Sequence, residues 1–296
     1  MEKIQSAIEK ARALRNAGTI ATATGTATAT ATGTATATAS AAALARPPVA
    51  TPDAKAAAWA ALGAGTVDPG LMRRNRIVAL TGGADAVPFD MMRTKVLQQM
   101  RANGWKRLAI TSPTPACGKS TIALNLAFSL LRQSELRTIL CELDLRRPTH
   151  KSILGLREPK SLSPKSFSAV LEGRADFADV AVRYGDGLAL AVDDGPVRQA
   201  AELLQSSTVP PALAAIEALY APDLMLFDMP PMLVSDDVMG FMGQVDAVLL
   251  VAAAETTTVK EIDACERELA GQTNVMGVVL NKCHFMGREY GYSYYG

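Results

Sequence analysis

The stretch RLAITSPTPACGKST, residues 107–121, decides the fold class. Its first residues form a short, mostly apolar run of the kind found in buried strands, and an apolar helical pattern begins at Ser120. A loop that leaves a strand and enters a helix can wrap a phosphate group, because its backbone N–H groups and the helix N-terminus face the same point. We therefore predict a phosphate-binding loop centred on Gly118, Lys119 and Ser120.

Three residues of this loop have predicted roles in binding ATP. Gly118 allows close approach of the backbone, Lys119 reaches the β- and γ-phosphates of ATP, and the Ser120 hydroxyl ligates Mg²⁺. The loop departs from the full Walker A pattern, because Pro113 takes the first glycine position and Cys117 directly precedes Gly118. The predicted nucleotide contacts in the loop are Pro115, Ala116, Cys117, Gly118, Lys119, Ser120 and Thr121.

Short apolar runs alternate with helical segments from about residue 75 onwards. The runs begin at Arg107, Thr138, Leu188, Leu224, Ala247 and Val275. Almost continuously apolar strands of this length need helices on both faces of a parallel sheet. The pattern predicts an α/β fold with a doubly wound, mostly parallel sheet of the P-loop NTPase type.

The segment CELDLRRPT, residues 141–149, places two acids at the end of the second of these strands. Carboxylates of Glu142 and Asp144 beside the loop could hold a magnesium-bound water or accept a proton from an attacking hydroxyl. The alternative is an exposed strand end whose acids pair with Arg146 and Arg147.

A third acid, Asp228, ends the apolar run LMLFD, where open α/β sheets place ligand-contacting groups. On its own it could be an ordinary strand-ending aspartate before a proline turn. Because all three elements occur in order at strand ends, we interpret them as one site. The predicted catalytic residues are Lys119, Glu142, Asp144 and Asp228, and the predicted metal ligands are Ser120, Asp144 and Asp228.

The C-terminal segment GREYGYSYYG, residues 287–296, is rich in glycine and tyrosine. It could pack on its own or a neighbouring subunit. The functional hypothesis is a cluster of phosphate acceptors, since a mobile tail can enter another subunit's active site and added phosphates would repel that contact. The predicted acceptors are Tyr290, Tyr292, Tyr294 and Tyr295.

The N-terminal region differs in composition from the rest. Residues 1–17 space Ile4 and Ile8 as on a short amphipathic helix, and residues 18–73 form an Ala/Thr- and Pro-rich segment that predicts a disordered linker. The uncharged tract lacks the Leu/Ile/Phe-rich centre of an export signal or a spanning helix.

The four cysteines lack metal-ligand spacing, which is typical of a reduced compartment, so we expect a cytoplasmic chain. The net charge of +1 argues against a nucleic-acid partner.

Taken together, SPTPACGKST, ELDLRRPT, FDMPPMLVSDD, GVVLNK and the tyrosine-rich tail resemble the bacterial tyrosine kinases (BY-kinases) of the CpsD/CapB type. These are similar to partition-type P-loop ATPases of the ParA/MinD kind. The resemblance implies a kinase domain over 74–285 and an autophosphorylated tail over 286–296. It assigns Lys119 and Ser120 to Walker A, Glu142 and Asp144 to Walker A′, Asp228 to Walker B and Asn281 to the surroundings of the adenine.

The resemblance also implies a biological setting. Members control capsule or exopolysaccharide synthesis and export, self-associate to phosphorylate one another's tails, and work with a transmembrane polysaccharide co-polymerase as activator. We therefore expect recruitment to the inner face of the plasma membrane and reversal by a tyrosine phosphatase.

Two departures from the family pattern bear on activity. Glu142 stands where the first Walker A′ acid is usually Asp, and its extra methylene moves the carboxylate, so catalysis is expected to be slow. The Glu-x-x-Arg-x-x-Arg oligomerisation pattern reads Val87, Asp90 and Arg93, which weakens the expectation of a ring.

Two other functions remain open. One is a ParA/MinD-like ATPase switch, which would carry an early loop lysine where this chain has Thr114. The other is a non-catalytic, nucleotide-binding regulator of polysaccharide export.

Overall fold

Eight strands form a single sheet in the computed structural model, which describes residues 52–158 and 166–283. These strands are β1 (Gly63–Ala64), β2 (Arg107–Thr111), β3 (Thr138–Glu142), β4 (Val182–Tyr184), β5 (Leu188–Ala191), β6 (Leu224–Asp228), β7 (Ala247–Ala253) and β8 (Asn274–Asn281). Their order is β1-β4-β5-β3-β6-β2-β7-β8. Every neighbouring pair is parallel except β4 and β5. The predicted doubly wound, mostly parallel sheet is confirmed.

Ten α-helices surround the sheet within the described residues. They are α1 (Pro52–Ala61), α2 (Pro69–Arg74), α3 (Val87–Asn103), α4 (Lys119–Leu131), α5 (His150–Leu154), α6 (Phe167–Leu171), α7 (Ala200–Leu204), α8 (Val209–Tyr220), α9 (Asp237–Phe241) and α10 (Val259–Ala270). Short 3-10 turns lie at Ala84–Ala86, Phe177–Asp179, Met232–Val234 and Met242–Gln244. Within the described ranges no helix combines the length and apolar character needed to cross a bilayer.

The core lies in two layers, one on each face of the sheet. In β2, Leu108 and Ile110 belong to one layer while Ala109 belongs to the other, as the alternation of side chains along a strand requires. Helices α2, α3, α4 and α5 contribute to the layer of Leu108, and α1, α6, α7, α8, α9 and α10 to the opposite layer. Both faces of the strands are therefore buried, which explains their continuous apolar sequence.

The predicted linker ends too late in the sequence. Residues 52–73 are not a tether, because they form α1, β1 and most of α2, and β1 pairs with β4 at the sheet edge. Trp59 and Leu62 pack into one core layer and Met72 into the other. Burial of these three side chains stabilises a segment whose alanine-rich composition suggests disorder. The fold therefore starts well before Asn75, the predicted boundary.

Helix α3 contains the three positions aligned with the family's oligomerisation pattern, and two of them bond within the chain. Asp90 accepts hydrogen bonds from Ser129 Oγ at 2.6 Å and from Arg132 Nη1 at 2.8 Å. Arg93 donates to Asp90 and to the carbonyl of Ser129. Asp90 thus joins α3 to the end of α4 and pairs with the Arg93 cation.

The predicted helix over 1–17, the linker up to residue 51 and the tail over 286–296 with its four tyrosines lie outside the described residues.

Candidate active site

The predicted phosphate-binding loop connects β2 to α4. Ala116 and Gly118 both adopt left-handed backbone conformations, with φ of 63° and 91°. A Cβ atom on Gly118 would lie 2.2 Å from Asn281 Nδ2, which donates a hydrogen bond of 2.9 Å to the Cys117 carbonyl. Position 118 therefore requires glycine both for its dihedral angles and for the close approach of Asn281. The structure places Asn281 against the loop backbone.

A cavity of about 610 Å³ opens beside the loop at the carboxyl ends of the central strands. Predicted residues that line it are Pro115, Ala116, Gly118, Lys119, Ser120, Thr121 and Asp144. Residues not predicted complete the wall, among them Ile153, Pro230, Pro231, Val234, Ser235 and Asp236. The lining thus combines polar residues of the loop with the apolar side chains of Ile153, Pro230, Pro231 and Val234.

Lys119 and Asp144 meet at the floor of this cavity. The distance from Lys119 Nζ to Asp144 Oδ2 is 2.6 Å, and both residues are largely buried. Burial opposes the charged form of Lys119, but the carboxylates of Asp228 and Asp144 outweigh it and raise the pKa of the ammonium above its ordinary value. Lys119 is therefore a fixed cation at the point where the loop would receive phosphate.

Asp228 is fully buried and does not line the cavity. Its Oδ2 is 2.8 Å from Nε2 of His150, which is also fully buried. Burial alone would raise the pKa of Asp228, but Lys119 and His150, with a smaller contribution from Ser120, hold it below the ordinary range. The lowered pKa favours an ionised Asp228 carboxylate next to the Ser120 hydroxyl.

Glu142 does not line the cavity but lies buried in β3, opposite Asp228 in the strand register. Its Oε1 accepts hydrogen bonds from the backbone N–H groups of Thr149 and of His150, the latter at 2.8 Å. Burial raises the pKa of Glu142 despite the opposing influence of His150. The contacts of Glu142 are therefore with the protein backbone.

The alternative pairing of the acids with Arg146 and Arg147 is not observed. Arg146 instead donates to Asp237 through two nitrogens, at 2.6 and 2.8 Å. Both Arg146 and Arg147 line the cavity, as does Asp236.

The chemistry of the donor set fits Mg²⁺. Within the described part of the chain no cluster of three or more His, Cys, Asp and Glu side chains is arranged to hold a metal. Mg²⁺ does not need such a cluster, because nucleotide sites bind it through one or two carboxylates, a hydroxyl, water and the substrate phosphates. Oδ1 of buried Asp228 makes no hydrogen bond within the described residues and is free to join such a shell.

Two polar residues of the site were missed by the sequence reasoning. His150 follows directly after the quoted motif that ends at Thr149 and is one of two histidines in the chain, which is a weak signal. Thr257 lies in the turn after β7, with its Oγ1 at 3.5 Å from Cys117 Sγ. No local sequence pattern marks either residue as part of the site.

The sequence is similar to curated bacterial kinases, although no protein-family model matches it. It is 27% identical over 230 residues to tyrosine-protein kinase YwqD of Bacillus subtilis, covering 76% of this chain and 92% of YwqD. It is 26% identical over 211 residues to tyrosine-protein kinase CpsD of Streptococcus agalactiae, covering 70% of this chain and 88% of CpsD. The chain is related to the bacterial tyrosine kinases. It spans less than a third of two longer matched kinases, 28% and 25% of their lengths.

The fold supports the same relationship. The solved kinase domain of the Escherichia coli tyrosine kinase ETK superposes with a TM-score of 0.60 at 25% identity, over 73% of this chain and 84% of that domain. The predicted resemblance to bacterial tyrosine kinases is therefore confirmed by sequence and by fold.

Proposed function

We propose that the chain is an ATP-dependent protein-tyrosine kinase that phosphorylates the C-terminal tyrosines of another copy. The observation that carries the proposal is the contact of Lys119 with Asp144 at the floor of a cavity formed by a phosphate-binding loop. A cation for the phosphates and a carboxylate for the acceptor hydroxyl thus lie side by side. The relationship to YwqD and CpsD supports the choice of tyrosine as acceptor.

The reaction follows from these groups. Backbone N–H groups of the loop and Lys119 would hold the β- and γ-phosphates of ATP, and Lys119 would then exchange its contact with Asp144 for the phosphate oxygens. Asp144 would accept the proton of the incoming tyrosine hydroxyl as its oxygen bonds to the γ-phosphorus and the bond to the β–γ bridging oxygen breaks, which releases ADP. The apolar wall of Pro230, Pro231 and Val234 suits an aromatic ring.

Ser120 and Asp228 are the residues that would hold Mg²⁺, with Asp144 as a further ligand through water. The bound ion would neutralise charge on the terminal phosphates of the nucleotide.

The proposed setting is the control of capsule or exopolysaccharide synthesis at the inner face of the plasma membrane. It includes a transmembrane co-polymerase as activator, a tyrosine phosphatase that reverses the modification, and association of copies during transfer. These proposals rest on the relationship to bacterial tyrosine kinases and on the tail sequence.

Phosphotyrosine mapping by mass spectrometry tests the activity. Purified protein is incubated with Mg²⁺ and ATP, with and without the cytoplasmic segment of a candidate activator. We expect phosphate on Tyr290, Tyr292, Tyr294 and Tyr295, and none in Lys119→Met, because that change removes the phosphate-binding cation. Circular dichroism of the variant checks that the fold is intact.

A mixing experiment tests transfer between copies. The variant with all four tail tyrosines changed to Phe keeps the site but lacks acceptors, whereas Lys119→Met keeps the acceptors but lacks the site. Phosphate should appear on the Lys119→Met tail only when the two variants are mixed. ATP hydrolysis without phosphotyrosine would instead indicate a ParA/MinD-like switch, and nucleotide binding without hydrolysis a regulatory scaffold.

A further inference from the structure

His150 is a fully buried polar side chain that the proposed reaction does not use. Its Nε2 lies 2.8 Å from Asp228 Oδ2, while its Nδ1 has no hydrogen-bond partner within the described residues. The contact with Asp228 is thus the ring's single side-chain hydrogen bond in this part of the chain. Burying an imidazole whose second nitrogen lacks a hydrogen bond costs free energy. The presence of His150 at this position therefore calls for an explanation.

The hydrogen bond from His150 engages one of the two oxygens of the Asp228 carboxylate. An ionised Asp228 can only accept, so Nε2 then donates, as it does both in the neutral Nε2–H tautomer and in the cation. Oδ2 is thereby occupied by His150, and Oδ1 is left without a hydrogen bond within the described residues. A carboxylate held through one oxygen presents the other in a fixed direction.

Glu142 fixes the position of His150 in turn. Its Oε1 accepts from the N–H groups of Thr149 and His150, so one buried carboxylate holds the turn from which the imidazole projects. Glu142 and Asp228 are also register partners on adjacent parallel strands. His150 therefore links the two neighbouring strand ends, with its ring bonded to Asp228 and its backbone N–H bonded to Glu142.

We propose that His150 is a positioning residue that orients Asp228 toward the magnesium shell, and that Glu142 is the backbone clamp that holds His150 in place. Glu142 is then not the proton acceptor of the reaction, and Asp144, which lines the cavity, takes that role. This inference rests on the proposed function for its nucleotide site but not on the identity of the acceptor.

Matched glutamine and methionine variants separate this role from simple packing. In His150→Gln a side-chain N–H remains at similar reach, whereas His150→Met has a similar volume and no donor. We expect His150→Met to weaken Mn²⁺ binding by about 10–100-fold, the usual cost of losing an outer partner of a metal ligand. His150→Gln should stay within about threefold of wild type. Mn²⁺, as the probe for Mg²⁺, is titrated by electron paramagnetic resonance in the presence of ADP.

Kinetics of ATP hydrolysis give a second comparison for the same pair. At saturating metal, His150→Met should lower kcat and leave the KM for ATP within about twofold, because the loop contacts with phosphate are unchanged. Equal Mn²⁺ binding and equal kcat in the two variants would overturn the positioning role.

The clamp is tested with Glu142→Gln and Glu142→Met. The amide oxygen of Gln can still accept from both backbone N–H groups, so Glu142→Gln should retain most activity while Glu142→Met loses it. A Glu142→Gln variant as inactive as Glu142→Met would overturn the clamp. Glutamine keeps the shape of Glu142 but cannot act as a general base, and loss of a general base lowers the rate by about 10²–10⁴-fold.

A measurement on the wild-type protein tests the bond between His150 and Asp228 even if the variants fail to fold. The chain has two histidines, so ¹⁵N-histidine spectra contain few signals and His150→Gln assigns them. A protonated, exchange-protected Nε2 is expected for His150, and an unprotonated Nε2 would refute the bond to Asp228. Wild-type protein without phosphotyrosine would refute the kinase but leave these binding and spectroscopic results valid.

Discussion

At the scale of single residues, the phosphate-binding loop depends on backbone conformation as much as on charge. Gly118 has a φ of 91°, a value that side-chain-bearing residues rarely adopt. Asn281, from the far end of the chain, covers the same glycine and bonds to the Cys117 carbonyl. The loop is therefore held from β8 as well as from its own helix, since Asn281 supports its backbone.

Replacing Gly118 by alanine tests this support. Gly118→Ala should weaken Mg·ADP binding by at least about tenfold, because a left-handed alanine costs about 1–2 kcal/mol and its Cβ would clash with Asn281 Nδ2. Calorimetric titration measures the affinity. The double variant Gly118→Ala/Asn281→Ala removes the clash and should recover part of the loss. No recovery would show that Asn281 does not restrict the loop.

At the scale of elements, α1 shows how a segment of low sequence complexity joins the fold. Trp59 is 3% exposed, and its ring centroid lies 6.4 Å from that of Tyr220 in α8. The indole N–H donates to the Asp186 carbonyl at 2.8 Å, and the Arg137 guanidinium lies 5.6 Å from the ring centroid. One aromatic side chain thus attaches α1 to three separate parts of the chain.

Trp59→Ala should therefore lower the free energy of unfolding by about 3–5 kcal/mol, the usual cost of truncating a buried aromatic residue. Urea denaturation followed by circular dichroism measures it. Trp59→Phe keeps most of the packing and loses the hydrogen bond, so its cost should be about 1–2 kcal/mol. A negligible effect of Trp59→Ala would mean that α1 is not part of the cooperative fold.

At the scale of the whole molecule, the strand order assembles the site. Strands β3, β6 and β2 are adjacent and parallel, so their carboxyl ends meet at one edge of the sheet. The loop after β2, Asp144 after β3 and Asp228 at the end of β6 thereby converge, although they are far apart in sequence. Such an edge is where open α/β sheets bind ligands.

Because the ligand would bind across three central strands, Mg·ADP should stabilise the entire domain. At about 100 times the Kd, mass action adds about 2.7 kcal/mol, which raises the Tm of a domain of this size by roughly 5–11 °C. Differential scanning fluorimetry measures the shift, which should disappear in Lys119→Met. The same shift in wild type and Lys119→Met would place the nucleotide elsewhere.

The sequence by itself determined the layers of the fold and most of the site. Apolar runs with helices between them predict a parallel sheet, and the loop and the two acid-bearing strand ends can each be recognised from a few consecutive residues. These features are local, since a phosphate-binding loop needs only a strand, a glycine and a helix start in succession. Lys119 and Asp144 line the cavity and Asp228 is buried next to them, while the predicted roles of the three residues stay predictions.

Only the tertiary structure decided which side chains meet. His150 and Asp228 are 78 residues apart, and Asn281 and Cys117 are 164 residues apart, so neither contact leaves a periodic signal in the chain. The contacts of Glu142 with backbone and of Asp90 with Arg132 likewise depend on how elements pack. Residues 52–73 join the fold because Trp59, Leu62 and Met72 find apolar surfaces supplied by distant helices and strands, which composition alone does not reveal.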